Sequence, residues 1–339
     1  MINVGVAGYG YWGPNLARAV SESGCARVEM IADRDSKARG RAAQRHPAAR
    51  LTDDILEMIA DPKVDAVMIA TPVASHFALA MAAIQAGKHV LVEKPMADTP
   101  QRAAQLVEAA ARKGVILMVD HTFIYTGAVQ KISELMHSGE LGKMYYYDST
   151  RVNLGIFQRD VDVIWDLAVH DIAILDHLLG ASPIAVSASA ATCIKGSPAN
   201  MAHLSIYYDD GVMAYLNVNW LAPVKIRQTV IGGSQRMVIY DDMQTSEKVK
   251  VYDRGAAPGS DPYEPLVSYR LGDMRAPALS SKEALVSEVQ EFARCIDTKA
   301  TPLTDGVGGL RVVELLAAAT LSTTRRGFPV ELGQKREAS

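Results

Sequence analysis

Cysteine is scarce in this 339-residue chain, with only Cys25, Cys193 and Cys295 present. They are odd in number and far apart, which excludes a disulfide framework and any cysteine-based metal spacing, and a reducing, cytoplasmic setting is expected. Charge of one sign is lacking too: 35 Lys and Arg stand against 38 Asp and Glu, leaving a formal net charge of −3 without a long run of either sign. Neither nucleic acid nor an anionic membrane is therefore expected as a partner. No stretch of about 18 consecutive apolar residues is present to span a bilayer. The opening residues show no basic region followed by an apolar core, so no signal peptide is expected. What is abundant is apolar residues, 49 % of the chain, enough for one large or two ordinary cores.

Residues 1–122 alternate short apolar runs with helical patterns. "INVGVAG", "VEMIAD", "VDAVMIATP", "HVLVEKP" and "VILMVDH" are separated by "GPNLARAVSES", "DSKARGRAAQRH", "DDILEMIAD", "SHFALAMAAIQAG" and "TPQRAAQLVEAAARKG". Continuous Val/Ile/Leu strands between amphipathic helices indicate a parallel sheet covered on both faces. Gly87 and Gly114 stand where two of the helices should end. From residue 123 the pattern becomes α+β, with successive strands such as "AHLSIYYDDGVMAYLNVNWL" joined by turns. Asp-Gly between β-formers is a hairpin signal, and the whole reads as an open, mostly antiparallel sheet. Residues 253–280 are rich in Pro, Gly, Asp and Ser and read as a long excursion or lid. Two helices are expected to close the chain. The expected division is a dinucleotide-binding domain over 1–122 and a substrate-binding and oligomerisation domain over 123–339.

"VGVAGYGYWGP", residues 4–14, places Gly8, Gly10 and Gly13 between a strand and a helix. Gly8 allows the tight turn, Gly10 lets the backbone approach a pyrophosphate, and Gly13 lets helix and strand pack closely. The helix N-terminus adds free N–H groups and the positive end of a dipole, and Pro14 suits its first turn. Tyr11 and Trp12 lie in the same loop and are counted with the cofactor site. The second strand ends at Asp33, where a carboxylate accepts ribose hydroxyls and repels a 2′-phosphate. NAD is thus expected over NADP, although Arg34 next to it is suited to adenine stacking or a 2′-phosphate.

"EKP", residues 93–95, ends a strand at the edge where parallel sheets bind ligands. Lys94 there is a candidate catalytic ammonium, against the plain alternative of a solvated surface lysine. In "WDLAVHDIAILDHLLG", residues 165–180, Asp166 and His170 stand four apart and share a helix face. A carboxylate one turn before an imidazole orients it and raises its pKa, which suits proton exchange with a hydroxyl near neutral pH. A surface or capping pair is the plain alternative. Asp171, Asp176 and His177 do not complete a metal cluster, so no metal is expected. Asn153, Arg159 and His121, with Arg151 or Lys225 as further cations, are candidates for substrate recognition, since a guanidinium fork matches carboxylate and diphosphate.

Taken together, "GYGYWGPN", "ATPVASH", "GKHVLVEKP", "HTFIYTGAV" and "WDLAVHD" resemble the glucose–fructose oxidoreductase/inositol dehydrogenase (Gfo/Idh/MocA) family, over essentially the whole chain. Through "GELGKMYYYDSTRVN" and "NLGIFQRDVDVIWDLAVHD" it looks most like the sugar-nucleotide 3-dehydrogenase and ketoreductase branch. The resemblance implies a Rossmann domain followed by an open-sheet domain, with substrate between them. It also implies that Lys94, Asp166 and His170 surround the nicotinamide and the reacting carbinol. Thr71, Pro72, His76 and Glu93 are placed by similarity along the cofactor, and the outer sheet face in homo-oligomerisation, as a dimer or tetramer. The activity implied is hydride transfer at a secondary alcohol of a sugar, with C3 of a nucleotide-linked amino sugar or uronate foremost. Two alternatives stand beside it: a dehydrogenase of inositols or free monosaccharides, and a cofactor-binding regulator without catalysis.

Overall fold

The computed structural model describes residues 1–155, 157, 161–258 and 267–333. The chain forms two compact units: Met1–Thr126 with Lys282–Glu314, and Gly127–Ser281 with Leu315–Ser339.

In the first unit each apolar run becomes one strand of a six-stranded sheet. The strands are β1 (Ile2–Ala7), β2 (Ala26–Ala32), β3 (Arg50–Thr52), β4 (Ala66–Ile69), β5 (His89–Glu93) and β6 (Leu117–Asp120), in the order 3-2-1-4-5-6. Every pair is parallel. The helices between them are α1 (Gly13–Glu22), α2 (Ser36–Arg45), α3 (Ile55–Ala60), α4 (Val73–Gln85) and α5 (Pro100–Lys113). Local chemistry sets their ends: Asp35, Asp54 and Thr99 accept the backbone N–H of Lys37, Leu56 and Arg102. Gly114 closes α5 at φ +65°, a left-handed turn that a side chain would resist. Val67, Met68, Ile69, Val90, Leu91 and Val92 are wholly buried, as strands covered on both faces require. The order reverses between β1 and β4, the switch point at which open sheets of this kind bind ligands.

The second unit opens with α6 (Gly127–His137), β7 (Met144–Leu154) and α7 (Val169–Leu179). There follow β8 (Ala185–Ala191), β9 (Met201–Tyr207), β10 (Met213–Asn219), β11 (Leu221–Gly233), β12 (Met237–Asp241), β13 (Val249–Pro258) and β14 (Val267–Arg275). The chain ends with α8 (Ala284–Thr298), α9 (Gly306–Thr324) and β15 (Val330–Glu331). The nine-stranded sheet has the order 14-13-12-11-7-10-9-8-15 and is antiparallel except where β7 meets β10. Alternation is strict: Ala202, Leu204 and Ile206 of β9 and Ala214, Leu216 and Val218 of β10 are buried, while His203 and Tyr215 are exposed. The Asp-Gly hairpin joins β9 to β10, with Gly211 at φ +86°.

Two features depart from the sequence reading. Residues 253–280, expected as an excursion or lid, include most of β13 and all of β14, which pair as an antiparallel ribbon; the Gly, Pro and Asp content of the segment masks the alternation of these strands in the sequence. Lys282–Glu314, read as part of the second domain, belong to the first unit. There α8 is anchored by Arg18, which donates to both oxygens of Glu283 (2.9 and 2.5 Å), and by Gln290, which donates to the Ser23 carbonyl. An amphipathic helix shows a buried face but does not say which sheet buries it. The 19-residue α9 is long and apolar enough by composition to cross a membrane, yet half of its apolar window is buried in the protein. Val313, Leu316 and Ala319 on it are wholly buried.

A buried ion pair fixes α7 to its sheet. Asp171 of α7 receives Arg151 Nε at 2.7 Å and Nη2 at 3.1 Å, and the Ser149 hydroxyl at 2.9 Å. Both partners are nearly inaccessible, 5 % and 1 % exposed. Removing one partner strands the other's charge in a dry site, a far larger cost than the pair's net worth. The substitution Asp171→Ala is expected to lower unfolding free energy by about 3–5 kcal/mol. Denaturant unfolding measures this, and a loss near 0.5 kcal/mol, typical of a surface site, would contradict the buried pairing.

Candidate active site

The candidate cofactor site begins at the loop after β1. Gly8 sits at φ +90°, and a Cβ there would lie 2.7 Å from the Ala70 carbonyl oxygen. A Cβ on Gly13 would overlap the Gly8 carbonyl oxygen, so close backbone packing leaves room for glycine alone. At Gly10 no atom lies within 4 Å of a would-be Cβ, which leaves an open approach for a pyrophosphate. Trp12 caps α1 without a side-chain hydrogen bond; Pro14 has no N–H and the Asn15 N–H turns to the Trp12 carbonyl, so the Gly13 N–H and the positive end of the helix dipole remain for an anion there. This cradle fits a dinucleotide.

Two carboxylates hold the loop. Asp33 at the end of β2 accepts the Tyr9 N–H at 2.6 Å on Oδ2 and the Asp35 N–H at 2.8 Å on Oδ1. Each oxygen keeps a further lone pair, which fits a ribose hydroxyl. Asp120 at the end of β6 accepts the Trp12 indole N–H at 2.7 Å and the Thr122 hydroxyl. Tyr11 (84 % exposed) and Arg34 face solvent at this edge, while Arg39 donates to the carbonyls of Asp33 and Arg34.

Lys94 follows β5 directly, half-buried, with a cis peptide to Pro95. His76, expected along the cofactor, is only 1 % exposed. Its ring nitrogens lie 2.9 Å from the Pro95 carbonyl oxygen and 2.8 Å from that of Thr71, so it braces the loops that follow β4 and β5. The Ser75 hydroxyl donates to Thr71 Oγ1 and also lies by the Pro72 carbonyl. Glu93 is raised well above the usual carboxylate range, first by desolvation and then by the Asp120 charge beside it, with Lys94 opposing. His121 is buried immediately after Asp120.

In the second unit the helix carrying the Asp/His pair does not begin as an α-helix. Ile164–Ala168 form one π-helical turn, continued by α7 from Val169. Asp162 starts the turn by accepting the N–H groups of Ile164 and Trp165. Such insertions are over-represented at functional sites because they re-aim side chains. Asp166, in this turn, accepts the Trp220 indole N–H at 3.1 Å, and the Trp220 ring tilts against Phe157 at 5.4 Å. His170 is half-buried one turn later.

The substrate candidates divide. Asn153 is half-buried at the end of β7 and Lys225 is exposed on β11. Arg151 is corrected: its guanidinium is buried against Asp171 and serves the scaffold, not a solvent-borne anion. Arg159 lies outside the described residues. Asp171 has the same structural role, and no group of three or more metal-ligating side chains occurs among the described residues. Asp120 and Trp220 were not singled out from the sequence. Asp120 ends an apolar strand just as Asp33 does, which was an available signal, whereas nothing local marks Trp220 as the partner of Asp166.

Comparison with known proteins agrees with this construction. The profile of the GFO/IDH/MocA oxidoreductase family, NAD-binding Rossmann fold, matches residues 2–121, and that of the GFO/IDH/MocA C-terminal domain matches residues 129–239. The UDP-N-acetylglucosamine 3-dehydrogenase of Acidithiobacillus ferrooxidans is 31 % identical over 260 residues, 76 % of this chain and 77 % of that protein. Its solved structure superposes with a TM-score of 0.79 at 26 % identity, covering 96 % of this chain and 98 % of that one. The NAD-dependent scyllo-inositol 2-dehydrogenase of Bacillus subtilis is 26 % identical over 350 residues, 99 % of this chain and 96 % of that protein. Levoglucosan dehydrogenase, solved with NADH and levoglucosan, shares the fold at a TM-score of 0.85 and 21 % identity, covering 98 % of this chain and all of that one (100 %). With a glycine cradle and an acidic second-strand end in place, the chain belongs to the GFO/IDH/MocA family of NAD(P)-dependent oxidoreductases, and its residues 2–121 are that family's NAD-binding Rossmann domain.

Proposed function

We propose that this protein transfers a hydride between NAD and C3 of a nucleotide-linked amino sugar or its uronate, of the UDP-N-acetylglucosaminuronate type. The observation that carries this reading is the 31 % identity to a UDP-N-acetylglucosamine 3-dehydrogenase over 76 % of the chain. Lys94, Asp166 and His170 supply the side chains that the chemistry needs. His170 exchanges the proton of the reacting hydroxyl, and Asp166, itself held by Trp220, orients the imidazole. Lys94 directs its ammonium at the hydroxyl oxygen and stabilises the alkoxide-like charge that develops there. NAD, when bound, supplies the hydride acceptor or donor.

The remaining residues bind and orient. Gly8, Gly10, Tyr11, Trp12 and Gly13 cradle the diphosphate, and Asp33 takes the adenosine ribose, with Arg34 beside it. Thr71, Pro72 and Glu93 line the cofactor, and His76 braces that edge from beneath. His121, Asn153, Arg159 and Lys225 recognise the substrate, the last two through its carboxylate or diphosphate. Exposed Tyr145, Tyr215 and Ile226 on the nine-stranded sheet form the face through which copies of the chain assemble into a dimer or tetramer. The three free cysteines accord with action in a reducing, cytoplasmic compartment.

A second reading, oxidation of inositols, is favoured by the match to scyllo-inositol 2-dehydrogenase across 99 % of the chain. A panel of UDP-N-acetylglucosamine, its uronate, scyllo- and myo-inositol and glucose, with NADH formation as readout, separates the two. Turnover on an inositol but on no nucleotide sugar would transfer the assignment.

Two substitutions test the chemistry. His170→Ala and Lys94→Ala are each expected to lower kcat by roughly 10²–10⁴-fold, the worth of a positioned proton-transfer or charge-stabilising group. NAD affinity, measured by calorimetry, should change far less than kcat. Near-normal turnover in both variants would remove the mechanism. Asp33→Ala is expected to narrow the preference for NAD over NADP by about tenfold or more, since it removes both the ribose acceptor and the repulsion of a 2′-phosphate. An unchanged ratio of kcat/KM for the two cofactors would show that Asp33 does not read the ribose.

A further inference from the structure

Three carboxyl groups meet at the C-terminal edge of the parallel sheet, and the mechanism above leaves one of them without a task. Glu93 and Asp120 are register partners at the ends of β5 and β6. Glu288 comes from the early turns of α8, in the segment that returns to the first unit. Its side chain is wholly buried, 0 % exposed, and neither carboxyl oxygen forms a complete hydrogen bond, the Thr122 hydroxyl beside it being donated to Asp120. Asp120, 2 % exposed, is the opposite case: the Trp12 indole N–H reaches one oxygen and the Thr122 hydroxyl the other.

This asymmetry assigns the protonation states. Asp120 accepts two donors, whereas an ionised Glu288 would be a buried charge with only the Thr122 hydroxyl, already given to Asp120, beside it. Desolvation first, and then the Asp120 charge with which it makes hydrogen-bond contact, raise the Glu288 carboxyl well above its usual range. Two carboxyls in contact in a dry site hold a proton between them.

We propose that Glu288 is a positioning residue for the dinucleotide: its protonated carboxyl donates to Asp120, which in turn holds the Trp12 indole and with it the Gly8–Gly13 loop. Glu288 touches neither cofactor nor substrate in this scheme. It completes the hydrogen bonding of the carboxylate that tethers the phosphate cradle. The proposal rests on NAD binding and is independent of which sugar is used.

The direction of its pH dependence follows. A proton retained in the folded protein beyond the ordinary carboxylate range is lost as pH rises, and the arrangement is intact below that transition. Above it, Glu288 loses its donor hydrogen, two adjacent carboxylates repel, and the hold on Trp12 loosens. The other ionisable groups around the trio are Lys94, which opposes the rise at Glu93, and Tyr125 and Glu291 beyond Glu288. Tyr125 is raised by desolvation and then by those two glutamates, so its hydroxyl, which pairs with Thr304 Oγ1, stays neutral.

The test is calorimetric titration of the intact protein with NAD alone from pH 6 to pH 10, on wild type, E288Q and E288L. Gln retains an N–H to give Asp120 and cannot ionise; Leu gives nothing. At pH 7, E288Q is expected to bind NAD at least tenfold more tightly than E288L. Wild-type affinity is expected to fall with rising pH by a step that E288Q lacks. Superimposable pH profiles for wild type and E288Q would overturn the proposal, as would equal NAD affinity of E288Q and E288L. If E288L does not fold, the comparison of wild type with E288Q decides by itself.

Discussion

The glycine loop between β1 and α1 is useful only if it stays still, and its own sequence cannot keep it so. Glycines permit the turn and the close approach of backbone to phosphate, but they also give the unfolded and mobile states the most freedom. The structure answers with two carboxylates, one on each side of the loop. Asp33 takes the Tyr9 N–H and Asp120 takes the Trp12 indole, at 2.6 and 2.7 Å. Both stand at strand ends of one parallel sheet, Asp33 after β2 and Asp120 at the end of β6. The cradle is thus fixed by charge-assisted hydrogen bonds from rigid elements, which are stronger than neutral ones and directional.

The second unit uses the same device for a helix. Asp171 is clamped by Arg151 and Ser149 beneath α7, and Asp166 is taken by Trp220 where the π-turn opens. His170 stands between these two anchored residues in the chain. Side chains locked by neighbours hold the turn that carries His170. The locking groups are a buried guanidinium on Asp171 and an indole on Asp166.

Such buried charges bring a cost in solvation that each local network offsets. Arg151 and Asp171 offset it with a bidentate pair, and Asp120 with two donors. At Glu93, which accepts the Lys94 N–H, and at Glu288, burial and then the neighbouring Asp120 outweigh the donors and push the carboxyl toward its neutral form. The edge of the parallel sheet therefore combines one carboxylate anchored by two donors with neighbours whose carboxyls are pushed upward, and Lys94 follows Glu93 directly.

Much of the architecture is legible in the residues alone. Strand and helix alternation over the first 120 residues, the roles of Gly8, Gly10 and Gly13, and the acidic end of β2 are local properties. They depend on periodicity, on backbone freedom and on spacing along one chain segment. The Asp-Gly hairpin and the helix caps at Asp35, Asp54 and Thr99 belong to the same kind. What tertiary structure decided are the partnerships across long separations: Trp12 with Asp120, Asp166 with Trp220, Arg151 with Asp171, and the return of α8 to the first unit. A sequence shows that a carboxylate or an indole is present and that a helix has an apolar face. Which donor meets which acceptor, and which sheet covers that face, is settled only when the chain has folded back on itself, because hydrogen bonds and packing act through space and not along the backbone.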